Sequence, residues 1–490
     1  MKISIRLRNT GLAVGIFLLS GLFNCNDKEP DPPDPPPPPG PTEIGKAQVY
    51  LTRGDQTKLF SKEFDLSVKD SLISSFPLIT IDTATAFQAI EGFGAALTGS
   101  SAYLFNQKMD QATRAEVLTD LFDPVEGIGI SFLRLTIGAS DFSLSNFSYD
   151  DMPYQQTDFD LEHFTMAQDT QDVIPVLQEI LQVAPGIKLM GSPWSPPAWM
   201  KTGSSMEGGK LKTECYDVYA RYFVRYIKEM ESRGIDIYAI TPQNEPLYWT
   251  ANYPCMEMQA TDQVDFIKNF LGPVFQSQGI GTKIIVYDHN WDVPEYAISV
   301  MNDPIAKQYV AGSAFHAYAG NVTAMSTVHF AHPDKALYFT EISGGDWATN
   351  FSDNLMWYMS NILIGTVQNW STTALFWNLC LNEFGAPHND GCSNCRGVIT
   401  WKTNGTLRKN EEYYAVAHFS KLVRPGALRL AYAKPQDLAT LGLSAFLNPD
   451  GTKVMVAANY KETDQTFSVN QGNKYFTYTI PAKSVATFYW

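Results

Sequence analysis

The chain has 490 residues and a formal net charge of −15, from 51 acidic and 36 basic side chains. This length is too great for one small core and favours a large α/β domain with a smaller module. The negative charge repels phosphate backbones, and no basic block offsets it, so nucleic acid is not an expected partner. Aromatic residues make up 13% of the chain, which favours surfaces that stack on a ligand, although large cores also bury many aromatics.

The first 25 residues have the features of an export signal. Three basic residues among the first eight precede an apolar run over residues 11–23, which is too short to span a membrane. Cys25 follows in a context similar to a bacterial lipoprotein processing site, although Asn24 departs from the small residue usual there. We therefore expect an exported protein that is anchored to a membrane by lipidation of Cys25, in the periplasm or at the cell surface. The proline-rich linker over residues 26–45 is predicted to extend as a spacer.

Five cysteines remain when Cys25 is set aside, an odd number that leaves at least one free thiol. Cys392 and Cys395, with His388 upstream, have part of the spacing of a metal site. A structural zinc ion normally takes four ligands, and no fourth is evident nearby. A local disulfide or plain thiols are the alternatives. The chemistry that we infer below requires neither a metal nor an organic cofactor.

Residues 81–412 alternate short apolar runs with longer amphipathic segments, the pattern of repeated βα units around a parallel sheet. Eight of the runs are predicted to be strands. Eight such units close into a (β/α)8 TIM barrel, an α/β fold. The runs begin at Ala89, Ile130, Ile187, Ile235, Lys283, Val310, Ala336 and Thr373.

The flanking segments over residues 46–80 and 413–490 show short alternating runs with turn signals. The turn Asn448-Pro-Asp-Gly451, between apolar runs over 443–447 and 453–457, is typical of a β-hairpin. These segments predict a side β-sandwich domain that is formed from both ends of the chain.

The active site of a TIM barrel lies at the carboxyl ends of its strands. Seven residues with chemically useful side chains follow those ends: Asp141, Trp194, Asn244, Glu245, His316, Glu341 and Trp377. Each has an ordinary structural explanation by itself, such as helix capping or core packing. Their convergence at one rim predicts a single site. The fifth run leads to Asp288-His289-Asn290, to which the sequence assigns no role.

Glu245 ends the fourth predicted strand and Glu341 the seventh, so their carboxyls are expected to face each other. Such a pair suits glycosidic bond cleavage, and a separation of about 5 Å would give double displacement with retained configuration. At that distance repulsion costs about 3 kcal/mol, roughly two pKa units, which would keep one glutamate protonated. We assign Glu245 as acid/base and Glu341 as nucleophile, and expect Asn244 to bond the sugar 2-hydroxyl.

The chain also resembles glycoside hydrolase family 30, the family of lysosomal glucosylceramidase and microbial β-1,6-glucanases. Seven motifs carry the resemblance in family order: EGFGAALTGSSA, RLTIGASDF, SPWSPPAWMK, TPQNEP, FHAYAG, FTEISGG and FWNLCLNEFGAP. The stretch GFGAALTGSSAYLF is closer to the glucanase-like branch than to the ceramidase branch. The resemblance implies a retaining hydrolase of β-linked glucosides or glucans, with Glu245 as acid/base and Glu341 as nucleophile.

The resemblance further implies which residues surround the bound sugar: Arg134, Asp141, Trp194, Asn244, His316, Tyr318, Trp377 and Asn378. Asp141 and Trp194 would hold the distal hydroxyls, Trp377 would stack on the sugar, and Tyr318 would hydrogen-bond Glu341.

An alternative is a surface lipoprotein that binds glycan without cleaving it. Such a protein would have lost one or both catalytic carboxyls, whereas this chain has both Glu245 and Glu341. Other hydrolase signatures, including G-x-S-x-G and H-E-x-x-H, are absent from the sequence. Carbohydrate is the expected partner under either hypothesis.

Overall fold

The computed structural model describes residues 40–72 and 74–490. The predicted export signal, Cys25 and most of the proline-rich linker lie outside the described residues. Within the described segments, no helix is both long and apolar enough to cross a membrane.

Four strands precede the barrel and belong to the sandwich sheet. They are β1 (Glu43–Arg53), β2 (Ser61–Lys62), β3 (Leu66–Lys69) and β4 (Leu78–Ala89). The sandwich sheet continues to Ala89, beyond the predicted boundary at residue 80, because β4 pairs with strands from the end of the chain at both of its ends, with register shifts between them.

The barrel strands follow in the predicted order. They are β5 (Gly92–Leu97), β6 (Phe132–Thr136), β7 (Lys188–Ser192), β8 (Ala239–Ile240), β9 (Lys283–Asn290), β10 (Val310–His316), β11 (Ala336–Glu341), the short extra strand β12 (Gly344–Gly345) outside the barrel, and β13 (Thr373–Asn378). Parallel pairing runs from β11 through β10, β9, β8, β7, β6 and β5 to β13. Strands β11 and β13 stand at the two ends of this order. The Thr372 backbone N, directly before β13, donates to Leu337 O in β11 at 2.8 Å, which nearly closes the cylinder and confirms the predicted TIM barrel.

Helices cover the outside of this cylinder. They are α1 (Gly99–Tyr103), α2 (Gln111–Phe122), α3 (Val173–Val183), α4 (Tyr216–Glu231), α5 (Ala260–Phe266), α6 (Gly272–Ser277), α7 (Pro294–Asn302), α8 (Ala306–Tyr309), α9 (Thr323–Ala331), α10 (Phe351–Trp357), α11 (Ile364–Gln368) and α12 (Glu411–Ser420). π-Helical turns extend three of them, over Leu104–Lys108, Ile267–Leu271 and Tyr358–Leu363, and 3₁₀ turns occupy Ala198–Met200, Thr213–Cys215 and Gln436–Leu438.

The remaining strands follow the barrel. They are β14 (Cys380–Asn382), β15 (Cys395–Arg396), β16 (Ile399–Trp401), β17 (Leu407–Lys409), β18 (Leu428–Ala433), β19 (Leu441–Leu447), β20 (Lys453–Asn459), β21 (Gln465–Gln471), β22 (Lys474–Ile480) and β23 (Ser484–Tyr489). The last six join β1 to β4 in one sheet, in the order β2-β1-β23-β20-β19-β18-β4-β21-β22-β3, and β1 also pairs with β3. This confirms the predicted β-sandwich from both ends of the chain. The predicted hairpin is also present, with Leu447 opposite Lys453.

Alternation along the barrel strands builds two interior layers. An apolar layer holds Phe132, Met190, Ala239, Ile285, Ala314, Tyr338 and Leu375. Side chains two residues apart in a strand point to the same side, so the next positions toward the carboxyl ends also face inward. Those positions hold Arg134, Ser192, Thr241, His316, Thr340 and Trp377. The sequence therefore places five polar side chains and one indole directly above a packed apolar layer.

Strand β9 breaks this alternation. Its pairing with β10 shifts register between Tyr287 and His289, and both Tyr287 and Asp288 have positive φ, at 73° and 60°. A bulge of this kind adds one residue and changes which side chain faces inward. As a result Asp288, rather than Tyr287, contacts the polar layer.

Candidate active site

The two glutamates predicted to be catalytic face each other at the carboxyl ends of the barrel strands. Glu341 is the last residue of β11, and Glu245 follows β8 with a positive φ of 44°. The Glu245 backbone N donates to Asp288 O at 3.0 Å, which fixes this turn to β9. One carboxyl oxygen from each glutamate and a ring nitrogen of His316 all lie within 4.8 Å of one another. Both side chains line a cavity of about 370 Å³.

Arg134 supplies the positive charge beneath this pair. Its guanidinium is fully buried and donates to Glu341 Oε2 at 2.5 Å, to Asn244 Oδ1 at 2.7 Å and to Asp288 Oδ2 at 2.7 Å. Because a guanidinium only donates, the amide oxygen of Asn244 must face Arg134, and its amide nitrogen is left for another partner. Arg134 therefore orients both a carboxyl and an amide.

Two indoles pack over the same guanidinium. The rings of Trp194 and Trp377 are stacked with centroids 5.0 Å apart, and the Arg134 Cζ lies 5.0 Å and 5.4 Å from those centroids. Both tryptophans line the cavity, so an aromatic wall adjoins the carboxyl pair. Aromatic faces of this kind suit the apolar faces of a sugar ring.

Asp288 connects the polar layer. It is fully buried, and besides Arg134 it accepts hydrogen bonds from the hydroxyls of Ser192, Thr241 and Thr340, at 3.0, 2.9 and 2.7 Å. Burial alone would raise the pKa of Asp288. The charge of Arg134 and the hydrogen bonds outweigh burial and lower that pKa well below its usual value.

His316 bridges Asp288 and Glu245. Its Nε2 lies 3.1 Å from Asp288 Oδ1, and its Nδ1 lies 2.9 Å from Glu245 Oε1. An ionised aspartate can only accept, so Nε2 carries a proton in either state of the ring. In the imidazolium form Nδ1 donates to the Glu245 carboxylate, and in the neutral form Nδ1 accepts from the protonated carboxyl. The two groups therefore share one proton.

The pKa directions follow from these contacts. Burial lowers the pKa of His316, but the negative charges around it raise the pKa to about 9. Burial would raise the pKa of Glu245, and the hydrogen bond and charge of His316 outweigh it, so the pKa is lowered. For Glu341, burial and the charge of Glu245 raise the pKa despite the opposing charges of His316 and Arg134.

These pKa directions differ from the sequence prediction, in which repulsion between the two carboxyls keeps one glutamate protonated and Glu245 is assigned as the acid. The positive charge of His316 beside Glu245 reverses that expectation, because an imidazolium in direct contact outweighs a neighbouring carboxylate. The extra proton is therefore held by Glu245 and His316 together.

The structure brings most of the other predicted residues to the cavity. Asp141, Trp194, Asn244, Tyr318 and Trp377 line it. Tyr318 Oη donates to Glu341 Oε1 at 3.0 Å, which is the contact that the resemblance implies. Burial and the charges of Glu341 and Glu245 raise the pKa of Asp141 well above its usual value.

Asn378 is not among the lining residues. Its side chain is buried and its Oδ1 accepts from Thr98 Oγ1 at 2.8 Å. Trp377 and Asn378 are adjacent in β13, so they point to opposite faces of the strand, and only Trp377 points into the barrel. The structure therefore gives Asn378 a contact behind the cavity rather than in it.

Several lining residues were not singled out from the sequence. They are Phe142, Tyr248, Tyr253, His289, Asn290, Ser343 and Trp347. Apart from Asn290 and His289, which directly follow the β9 bulge, they come from loops whose paths no periodicity defines. Exposed aromatic residues shortly after a glutamate predicted to be catalytic, such as Tyr248 and Trp347, are the signal that could have identified part of this set.

Cys392 and Cys395 form a disulfide, one of the three alternatives that the sequence leaves open. Because both sulfur atoms are in the disulfide, they are not available as thiolate ligands for a metal site with His388. Cys215, Cys255 and Cys380 are free and buried.

A (β/α)8 barrel with two opposed carboxyls in an aromatic-walled cavity at the strand ends has the architecture of a glycoside hydrolase. Comparison with known families agrees: residues 90–423 match the glycosyl hydrolase family 30 TIM-barrel domain, and residues 426–488 match the glycosyl hydrolase family 30 β-sandwich domain. The chain belongs to glycoside hydrolase family 30 and is a β-glycoside hydrolase.

Relatives include both branches of the family. An endo-1,6-β-D-glucanase of Aspergillus fumigatus is 33% identical over 449 residues, covering 85% of this chain and 88% of that one. The lysosomal acid glucosylceramidase of Mus musculus is 29% identical over 440 residues, covering 84% and 83%. Among solved structures, an endo-β1,6-glucanase superposes with a TM-score of 0.86 at 35% identity, covering 91% of this chain and 99% of that one.

Proposed function

We propose that this protein hydrolyses β-1,6-linked glucan with retention of configuration, with Glu341 as nucleophile and Glu245 as acid/base. The observation that carries the proposal is the separation of the two carboxyls, whose oxygens lie within 4.8 Å of each other. Retaining glycosidases hold the pair about 5–5.5 Å apart, whereas inverting enzymes need about 6.5–9.5 Å to admit a water molecule.

In the first step, a Glu341 oxygen bonds to the anomeric carbon while the bond to the leaving oxygen breaks, and Glu245 donates a proton to that oxygen. Arg134 and Tyr318, the two donors to Glu341, hold its carboxylate in position for this attack. In the second step, Glu245 accepts a proton from water, the water oxygen bonds to the anomeric carbon, and the ester to Glu341 breaks.

The proton donor is the pair formed by Glu245 and His316. Before the first step, the shared proton moves from His316 Nδ1 to Glu245 Oε1 across 2.9 Å, and Glu245 then delivers it to the leaving group. Asp288 keeps the other ring proton on Nε2, so the neutral imidazole always presents an acceptor to Glu245. Formation of the glycosyl ester removes the charge of Glu341, which leaves Glu245 as the base for the second step.

Several observations support a glucan as the substrate. The relative from Aspergillus fumigatus and the similar solved structure are both described as 1,6-β-glucanases. Asn244 would bond the sugar 2-hydroxyl through its free amide nitrogen, Asp141 and Trp194 would hold distal hydroxyls, and Trp377 would stack on the ring. Incubation with β-1,6-glucan, an aryl β-glucoside and glucosylceramide, with product lengths separated by chromatography, tests this choice; turnover of glucosylceramide alone would contradict it.

Two substitutions test the catalytic roles. Glu341→Gln should lower kcat on an aryl β-glucoside by at least about 10³-fold, because no carboxylate remains to form the ester. Glu245→Ala should lose most activity on substrates with poor leaving groups and recover with azide, giving a β-glycosyl azide. Glu116→Gln, an exposed change on α2, is the control. Activity of Glu341→Gln within a few-fold of wild type, or an α-configured azide product, would contradict the mechanism.

We also propose that the protein is exported and anchored to a membrane through lipidation of Cys25. The basic start, the apolar run and the cysteine context of the sequence support this proposal. Cys25→Ser should move the protein from the membrane fraction to the soluble fraction without changing the activity of the folded enzyme. Unchanged partitioning of the variant would rule out the anchor.

A further inference from the structure

A disulfide forms part of the cavity wall. Cys392 and Cys395 are bonded to each other, and both line the cavity that contains the two catalytic glutamates. Cys395 is buried in one apolar cluster with Trp194 and Trp377, and Cys392 packs against the edge of that cluster. We call residues 388–395 the disulfide loop. The proposed hydrolysis uses neither sulfur atom, so the position of the bond calls for a separate explanation.

One side of the disulfide loop packs directly on Asp141. The Asn389 backbone N donates to Asp141 O at 2.7 Å, and the Asn389 amide donates to Ser140 O at 3.2 Å. A Cβ atom on Gly391 would lie 2.7 Å from Asp141 O and 2.9 Å from Asp141 Oδ2, so only a glycine lets the loop approach this closely. The loop therefore determines where the Asp141 carboxyl can lie.

The Asp141 carboxyl has an atom available for a ligand. Asp141 lines the cavity, and its Oδ1 is buried without a hydrogen-bond partner among the residues that the structure describes. A buried carboxyl oxygen without a partner is costly, and a sugar hydroxyl in the cavity would satisfy it.

The other side of the disulfide loop is fixed to the segment that follows Glu341. Cys395 pairs with Gly345 in β12, and the Asp346 backbone N donates to Asn394 O at 2.9 Å. This end is held by backbone hydrogen bonds. The covalent bond to Cys392 connects it to the end that packs on Asp141.

We propose that the Cys392–Cys395 disulfide is a positioning device for Asp141, which holds the carboxyl at the distance and angle that bind the sugar hydroxyls. This inference rests on the sugar-binding role given to Asp141 in the proposed function. The disulfide acts through the loop, and Asp141 makes the contact with the substrate.

A double-mutant cycle tests the proposal. The Cys392→Ser/Cys395→Ser variant should lose about tenfold in kcat/KM on an aryl β-glucoside, mainly through KM, because the hydrogen bond between the Asp141 carboxyl and the sugar is misplaced rather than removed. In an Asp141→Asn background, the same serine changes should cost less than about twofold further, because the group that they position is already lost. A merely structural role would give the same factor in both backgrounds.

Two controls separate the outcomes. Val469→Ala in β21 lowers stability in the sandwich core, far from the loop in the fold, and should leave kcat/KM unchanged at a temperature where the protein is folded. If the serine variant fails to fold, a phosphine that reduces the disulfide of the folded wild-type enzyme to two thiols should produce the same loss. Equal factors in the two backgrounds, or full activity without the disulfide, would overturn the inference. Unchanged kcat/KM in Asp141→Asn would contradict the positioning role of the disulfide. The proposed hydrolysis would not be affected by that result, because Glu341→Gln tests it separately.

Discussion

His316 is surrounded by acceptors, and this arrangement decides where the proton of the proposed acid/base resides. Asp288 contacts Nε2, Glu245 contacts Nδ1, and Glu341 Oε1 lies 3.9 Å from Nδ1. A carboxyl acid beside a protonated imidazole would usually be a poor proton donor. Here the imidazolium can pass its Nδ1 proton to Glu245, so His316 and Glu245 act together as one acid. This acid loses its proton near the raised pKa of His316, at about 9.

The pH–rate profile should reveal this shared proton. Activity of the wild-type enzyme should fall on the basic side as pH rises through about 9, where the pair loses its proton. In His316→Gln, Glu245 must hold the proton alone, and the basic limb of kcat/KM should move at least about one pH unit toward acid. Measurement of kcat/KM against pH on an aryl β-glucoside checks the shift.

Tyr318→Phe is the matched control for His316→Gln. It removes the hydroxyl that donates to Glu341 and leaves the contact between His316 and Glu245 intact. We expect a lower kcat with an unmoved basic limb. A basic limb that stays in place in His316→Gln, or that moves equally in both variants, would contradict the shared proton.

At the scale of the strand, alternation explains which site residues the sequence could give. Arg134, His316 and Trp377 each lie two positions beyond an apolar interior residue. Side chains two residues apart in a strand point to the same side, which predicts that all three face inward. The same period argues against Asn378, which neighbours Trp377. Asp288 could not be found in this way because the β9 bulge shifts the period by one residue, and no local signal in the sequence marks that bulge.

Interactions between residues that are distant in the sequence could not be predicted, for a different reason. The pKa directions of Glu245 and Glu341 depend on distances to His316 and Arg134, which come from other strands. The wall formed by the disulfide depends on a loop path that brings residues near 390 against Asp141. Sequence spacing gives residue types and their order, whereas these interactions are set by tertiary packing.

At the scale of the whole molecule, α12 joins the barrel to the sandwich. Every residue of this helix is buried, and its aromatic residues belong to the barrel core cluster. The sequence predicts the start of the sandwich at residue 413, but a helix that is covered on all sides shows no amphipathic period to identify it. The family domains instead divide the chain between residues 423 and 426.

His418 lies at this junction and is held as a neutral ring. Thr487 Oγ1, which donates to the His418 carbonyl, lies 2.8 Å from Nδ1, so Nδ1 carries the proton. Thr52 Oγ1, which accepts from the Phe60 N–H, lies 2.8 Å from Nε2 and donates to it. Burial without a nearby carboxyl lowers the pKa of His418 to about 3.

The neutral His418 should make the junction sensitive to acid. The unfolded chain takes up a proton at this ring below about 6.5, whereas the folded protein resists it down to about 3. The folded state therefore binds fewer protons in that window, and stability falls as pH decreases from about 6.5, by up to about 1.4 kcal/mol per pH unit. His418→Gln, whose amide can also bond both threonines but does not titrate, should lose less stability than wild type between pH 6.5 and 5 in urea unfolding. Identical slopes in the two proteins would refute a role for the buried ring.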